Sequence, residues 1–221
     1  MSTPAGWTIE HALGSAAAFH AWEPETGSGR LARWFSVDRP ALVLGSAQRD
    51  DVVDADACAA AGVEVVRRRS GGGAVLLLPG EVTWLDVVVP AGDPLWVDDV
   101  GRSMLWFGEA WADALRALGE HDVAVHRGAL RASPWSRLVC FDGLGSGEVT
   151  VAGEKTVGIS QRRTRAWARL QAAVYHRWRP EMLLGLLRGP VPAVDELQSV
   201  HAVPDAEALM AAMVRQLPPL V

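Results

Sequence analysis

Apolar residues follow two different rhythms along this chain. Short, dense apolar runs at residues 41–45, 63–66, 74–78 and 82–89 are rich in Val and Leu and are bounded by Gly, Pro or polar residues. Runs of this length and composition predict buried strands. Pro79-Gly80 supplies a turn between the last two, and 24–29 (PETGSG) reads as a surface turn. Residues 51–61 are small and helix-compatible, with Gly62 as the stop. The rhythm then changes. Val97, Val100, Met104, Phe107, Trp111, Ala114 and Leu118 recur at three-four spacing, which predicts a helix over 97–118 with one apolar stripe against a sheet and Gly119 at its end. Further short strands are expected at 123–125, 138–141, 149–151, 156–160 and 166–175, and closing helices at 180–187 and 205–217. Strands and helices are mixed, and several neighbouring strands are joined by short turns. The expected class is therefore α+β, a mixed α/β domain, and not a regular parallel βαβ array.

Composition narrows the classes. A length of 221 residues suits one domain with a substantial core. With 49% apolar and 21% charged residues the chain is globular. A net charge of -5 argues against a protein built to coat nucleic acid, although local basic clusters can still bind single anions. Cys58 and Cys140 are far apart and neither lies in a CxxC, so they imply no disulfide framework or zinc site. The six histidines show no metal-ligand spacing. The first residues lack the basic and apolar regions of a signal peptide, and no run of about 18 apolar residues predicts a membrane span. The expected location is the cytoplasm.

Two segments carry candidate chemistry. Lys155 is the only lysine in a chain that otherwise uses arginine for its basic charge. Arginine is a flat fork, whereas lysine is a compact point charge with three donors. Lying in Gly153-Glu154-Lys155-Thr156-Val157-Gly158, it is a candidate for a role that arginine cannot fill. The other segment is Arg67-Arg68-Arg69-Ser70-Gly71-Gly72-Gly73-Ala74-Val75. Three glycines permit positive φ and close backbone approach, successive amides can cradle an anion, and guanidinium groups add charge-assisted bonds. The spacing fits neither a Walker A loop nor a dinucleotide fingerprint.

Together, RRRSGGGAV and the later GEKTVGISQRR resemble the lipoate-protein ligase A family, and more broadly the biotin/lipoate protein ligase catalytic domain. PALVLGSAQ at 40–48 is similar to the family's strand ending in Gly and a polar Gln turn. The resemblance covers most of the chain and implies one catalytic domain over 1–221, with a mixed sheet flanked by helices, as in class II aminoacyl-tRNA synthetases. It implies activation of lipoate or octanoate by MgATP to an acyl-adenylate. The acyl group would then pass to a lysine on a lipoyl domain of a 2-oxoacid dehydrogenase or on the glycine-cleavage H protein. Carried over by residue, Lys155 is the expected catalytic cation. Arg68, Ser70, Gly71, Gly72, Gly73, Ala74, Gly153, Gly158 and Ser160 are the expected substrate and nucleotide contacts. Glu148, seven residues before Lys155, resembles the acid of the family's Asn-Asp pair and is the candidate Mg2+ ligand.

The sequence also departs from that pattern. Leu76-Leu77-Leu78 replaces the usual His-Asp after the glycines, and Leu170-Gln171-Ala172-Ala173 replaces a later His-Gly. No C-terminal accessory domain is expected, so a separate accessory subunit could be required. Cys140-Phe141 resembles the Cys-Phe of a cysteine-dependent octanoyltransferase branch, which implies an alternative: ATP-independent transfer from acyl carrier protein with Cys140 as nucleophile. The competing reading places Cys140 in an apolar core strand. A third reading is a non-catalytic lipoyl-binding relative. Trp84 and Trp34 are candidates to wall an acyl slot, and Arg162 and Arg163 are candidates to meet phosphate or an acidic lipoyl domain.

Overall fold

The computed structural model describes residues 4–25 and 27–220, and its strands form two sheets. The larger sheet runs, from edge to edge, β1 (Trp7–Gly14), β2 (Arg30–Val37), β6 (Val82–Pro90), β10 (Trp167–Tyr175), β9 (Glu154–Arg163), β8 (Val149–Val151) and β7 (Val123–Val125). Only β1 and β2 are parallel; they are linked through α1 (Ala16–Ala21), which Ser15 caps by accepting from Ala18 N–H at 3.2 Å. The smaller sheet has β3 (Ala41–Leu44) between β4 (Glu64–Arg67) and β5 (Val75–Leu77). Its parallel β3–β4 pair is joined through α2 (Ala55–Ala60). The expected α+β class is therefore observed.

The register of the large sheet decides what each face carries. Leu85, Val87, Leu170, Ala172 and Val157 point to one side, where α4 (Leu105–Ala117) and α6 (Ala206–Gln216) cover them with Phe107, Trp111, Leu115, Leu209 and Met213. Truncating Phe107 or Trp111, both fully buried, would cost about 3–5 kcal/mol. The opposite face carries two cross-strand rows, Phe35–Trp84–Ala173–Gly158 and Arg33–Asp86–Gln171–Ser160. The small sheet and α1 pack over the first row with Val43, Leu77 and Phe19. Where that row shrinks to Ala173 and Gly158, room is left for a cavity.

Three features differ from the sequence expectation. The helix over 97–118 is two helices, α3 (Val100–Ser103) and α4. Asp99 caps the first by accepting from Arg102 N–H. Ser103 Oγ then turns back to Val100 O at 2.7 Å and to Gln161 at 3.0 Å, which competes with continuation. Residues 138–141 are not a strand. Only Val139 bridges Ala74, and Cys140–Asp142 forms a 3-10 turn, because Leu138 and Val139 N–H both bond Trp135 O at 2.8 Å. Third, β1, α1 and β2 lie in a stretch for which no element was expected. Charges interrupt the apolar pattern of β2, yet Arg30 is buried against Asp93 at 2.8 Å. The turn expected at 24–29 includes Gly27 at φ +87, while Thr26 lies outside the described residues. Among the described residues no helix is long and apolar enough to cross a membrane. The α5 helix (Pro180–Gly185) completes the set.

Candidate functional site

A cavity of about 70 Å³ lies over the shrinking row of the large sheet. Val43, Val75, Leu77 and Trp84 give it apolar walls, with Cys140 and Phe141 at one side and Ser160 and Gln171 as polar members. Of the two tryptophans proposed as walls, Trp84 lines it. Trp34 lies instead in the opposite-face core, edge-on to Trp111 at 6.4 Å. Cys140 is half-buried in a 3-10 turn that faces the cavity, so the core-strand reading of this residue does not hold. Cys58 is buried in α2, and burial pushes its thiol up.

Lys155 explains why one lysine survives. Three oxygens converge on its ammonium: Glu148 Oε2 at 2.7 Å, Gly143 O at 2.8 Å and Cys140 O at 3.1 Å. The Phe141 ring lies 4.9 Å away. A tetrahedral point donor satisfies this arrangement, and a planar guanidinium does not. Lys155 therefore props the turn that carries Cys140. It pairs with Thr150 across a hairpin whose corner is Ala152-Gly153, both at positive φ, and its ammonium reaches back to Glu148 just before β8.

The glycine loop closes on the same turn. Arg68 donates Nη2–H to Gly71 O and Gly73 O, each at 2.8 Å, and that nitrogen sits 3.6 Å from Cys140 Sγ. Ala74 brackets the turn: its N–H donates to Leu138 O at 2.7 Å, and its carbonyl accepts from Cys140 N–H at 3.0 Å. The glycines leave space for protein as much as for ligand. A Cβ on Gly73 would stand 2.7 Å from Cys140 N, and one on Gly72, at φ +99, would stand 2.8 Å from Arg68 Nη2. Ser70 Oγ donates to Ser160 Oγ at 3.2 Å, and Gly158 leaves room for Phe141. The loop, Lys155 and Cys140, spread across the sequence, thus form one cluster.

Sequence reading missed the charged cluster that lies behind Trp84 and Gln171 of the cavity. Asp86 and Arg169 form a buried ion pair, to which Trp84 Nε1–H donates at 2.7 Å and Gln171 adds its amide. Burial pushes the Asp86 carboxyl up, while Arg169, Trp84 and Gln171 oppose it. The available signal was a lone acid in the apolar strand Trp84-Leu85-Asp86-Val87 and a lone base in Trp167-Ala168-Arg169-Leu170, since isolated opposite charges in central strands must find each other. His20 stacks on Trp84 at 4.6 Å and lines the cavity; burial first, then Arg169 and Arg68, lowers its pKa to about 3. No spacing pattern marked it. Arg162 bonds Glu23 at 2.8 Å, and Arg163 stacks on Trp96 at 3.7 Å, so both are engaged locally.

Glu148 is not a solvated turn residue. It is buried, and besides Lys155 it accepts Gly145 N–H at 2.6 Å and Ile159 N–H at 3.0 Å. Among the described residues no group of three or more His, Cys, Asp or Glu side chains converges as metal ligands. A carboxylate paired with an ammonium and two amides is built as a counter-charge, and its donor set does not fit a Mg2+ ion.

Fold and site together define a class: an α+β domain that holds a cysteine on a lysine-propped turn beside a narrow apolar cavity. The chain belongs to the Lipoyl protein ligase A/B catalytic domain family, which it matches over residues 19–216. It is 36% identical over 180 residues to octanoyltransferase LipM of Kyrpidia tusciae, covering 77% of this chain and 65% of that protein. It is 30% identical over 164 residues to octanoyltransferase LipM of Moorella thermoacetica, covering 73% and 59%. The match thus spans somewhat less than two thirds of these relatives. A lipoate-protein ligase A crystal structure bound with ATP aligns over 96% of this chain and 83% of its own, with a TM-score of 0.73 and 20% identity. The bi-partite lipoate protein ligase of Thermoplasma acidophilum, described with its E2 lipoyl domain, aligns over 97% and 82%, with a TM-score of 0.70 and 18% identity. At such identities the two structures speak to the fold alone.

Proposed function

We propose that this chain is an acyltransferase that carries a medium-chain acyl group, octanoyl in class, on Cys140 and delivers it to a lysine of a lipoyl domain. The observation that carries the reading is Cys140 Sγ at an apolar cavity with a guanidinium nitrogen 3.6 Å away. A thiolate is the nucleophile in such chemistry, and the Arg68 guanidinium is placed to donate to that sulfur. The kinship with octanoyltransferases points the same way.

In the first half-reaction the Cys140 thiolate attacks the carbonyl carbon of a donor thioester. The new carbon–sulfur bond forms, the donor's carbon–sulfur bond breaks, and the donor leaves as a thiol that takes up the proton given by Cys140. In the second, the neutral amine of the acceptor lysine attacks acyl-Cys140. An amide forms, the bond to Sγ breaks, and the amine's proton returns to the thiol. Arg68 holds charge at sulfur, while Lys155, through the carbonyls of Cys140 and Gly143, fixes the turn against the attack. Gly73 and Ala74 hold that turn from the other side.

The ligase reading, with lipoate or octanoate and MgATP, rests on Arg68, the glycine loop and Lys155, all retained. No step here is routed through a metal, because Glu148 does not fit one. Intact mass of an apo lipoyl domain separates the readings. One tube holds the chain, octanoate or lipoate, and MgATP; the other holds octanoyl-acyl carrier protein without ATP. A mass shift in the second tube, lost in Cys140→Ser, is expected. A shift only in the first establishes the ligase and overturns the proposal. No shift in either tube favours a binding-only relative or a missing accessory subunit.

A further inference from the structure

We infer that the polar groove on the far side of the nucleophile's turn holds the phosphopantetheine arm of the acyl donor. This rests on the thioester reading above, and it names where the rest of the donor lies.

The turn from Cys140 to Gly143 borders two spaces that meet at Phe141. On one side, over β6, β10 and β9, is the small apolar cavity. On the other, over the β8–β9 hairpin, is a groove of about 640 Å³. Phe141 lines both, and Lys155, which props the turn, lines the groove. Arg131, Ser133, Thr150, Glu154, Gln198 and Ser199 give the groove a polar lining. The two spaces differ as the two halves of a donor thioester differ. The acyl tail is short and apolar, whereas the arm beyond the sulfur is long, slender and polar, with two amides and a terminal phosphate.

Size selects this occupant over the acceptor lysine. A volume in the range of about 300–1,000 Å³ suits a ligand of tens of heavy atoms, and a lysine's four methylenes need only a narrow channel. At the exposed rim Arg131 makes no ion pair among the described residues, although most arginines of this chain do. Arg131 lines the groove together with Glu154, and its guanidinium has donors to spare for a phosphate.

The groove is preformed. Asp142 accepts Ser133 Oγ–H on one side and Gln198 N–H at 2.6 Å on the other, so it ties both walls to the nucleophile's turn. Arg131 and Leu144 exchange backbone bonds at 2.9 and 3.0 Å, and His201 N–H donates to Lys155 O at 3.1 Å. A fixed groove costs little ordering on binding.

The test compares three donors: octanoyl-acyl carrier protein, octanoyl-coenzyme A and octanoyl-N-acetylcysteamine. The last keeps the thioester but has neither phosphate nor the longer arm. Formation of octanoyl-Cys140 is followed by intact mass in wild type and in Arg131→Glu, Ala132→Trp and Ser199→Trp; three variants at exposed or rim positions guard against one that fails to fold. The kcat/KM ratio of either long donor to the short one is expected to fall about tenfold or more, the loss of one charge-assisted contact. Equal loss with carrier protein and coenzyme A places recognition on the shared arm. An unchanged ratio overturns the inference. So does loss confined to the carrier protein, or a slowed single turnover from preloaded octanoyl-Cys140 to the lipoyl domain. If wild type forms no acyl-Cys140 from any donor, the thioester reading itself has failed.

Discussion

Two buried ion pairs lie on the same face of the large sheet, and they are built for different work. Arg169 meets Asp86 through Nε and Nη2, then reaches Trp22 O at 2.6 Å and Phe19 O at 2.8 Å. Its planar fork fastens α1 to the sheet. Lys155 meets Glu148 through one oxygen and directs its other donors at two carbonyls of the turn that carries Cys140. The first pair joins elements that are already rigid; the second sets the position of a reacting group. The chain uses arginine where a fork bridges planar acceptors, and its single lysine where three oxygens converge on one nitrogen.

Breaking the structural pair should have the largest effect. Asp86→Ala leaves Arg169 charged and unpaired in the core, with an expected loss of about 3–5 kcal/mol in unfolding free energy. Urea titration measures it, and a loss under about 1 kcal/mol would show that water or a rearranged Gln171 replaces the carboxylate. Breaking the other pair's geometry while keeping its charge should act on rate. Lys155→Arg is expected to slow acyl transfer by about 10²–10³, with a smaller change in urea midpoint than Asp86→Ala gives. Near-normal turnover would mean that the three-oxygen geometry does not matter.

How much of this contrast the sequence reveals depends on how local each signal is. Lys155 and the 71–73 glycines stand out because each is a local anomaly, and the strands at 41–45, 82–89 and 123–125 because each is a bounded apolar run. The stripe Phe107, Trp111 and Ala114 is likewise visible and is fully buried. What bonds to Lys155 is not visible, since Glu148, Cys140 and Gly143 meet it only once β8, β9 and the 3-10 turn are stacked. The break at Met104 depends on Ser103 reaching Gln161, 58 residues away. Within 7–37 only the 24–29 turn is legible; β2 is hidden because Arg30 and Arg33 obscure an apolar pattern whose charges are answered elsewhere, by Asp93 and by Glu10 across to β1.

A smaller change sharpens the contrast from the packing side. A Cβ on Gly158 would stand 3.0 Å from two atoms of the Phe141 ring and 3.6 Å from Lys155 Cε. The ring cannot yield freely, because Tyr175 lies against it at 4.7 Å and donates its hydroxyl to Leu76 O. Gly158→Ala should therefore cost about 1–3 kcal/mol of overpacking strain, and it should raise KM for the acyl donor because the displaced ring narrows the cavity. A stability loss with unchanged KM would mean that the ring moves away from the acyl path.

The smallest expected effect is read through His20, which lies near both regions: Arg169 of the structural pair and Arg68 of the site each act on it after burial has done most. Its pKa falls from 6.5 to about 3 on folding. Between those values the unfolded chain holds one more proton than the folded one, so stability rises with pH across that window. It is fully present above the unfolded value and is lost as pH falls. Between pH 7 and pH 5 wild type should lose about 1–2 kcal/mol more than His20→Phe, which keeps a ring on Trp84 but cannot titrate. Paired urea titrations at the two pH values measure the difference. Parallel losses in the two proteins would mean that His20 folds with its proton still on, and that the cavity beside it admits more water than its walls suggest.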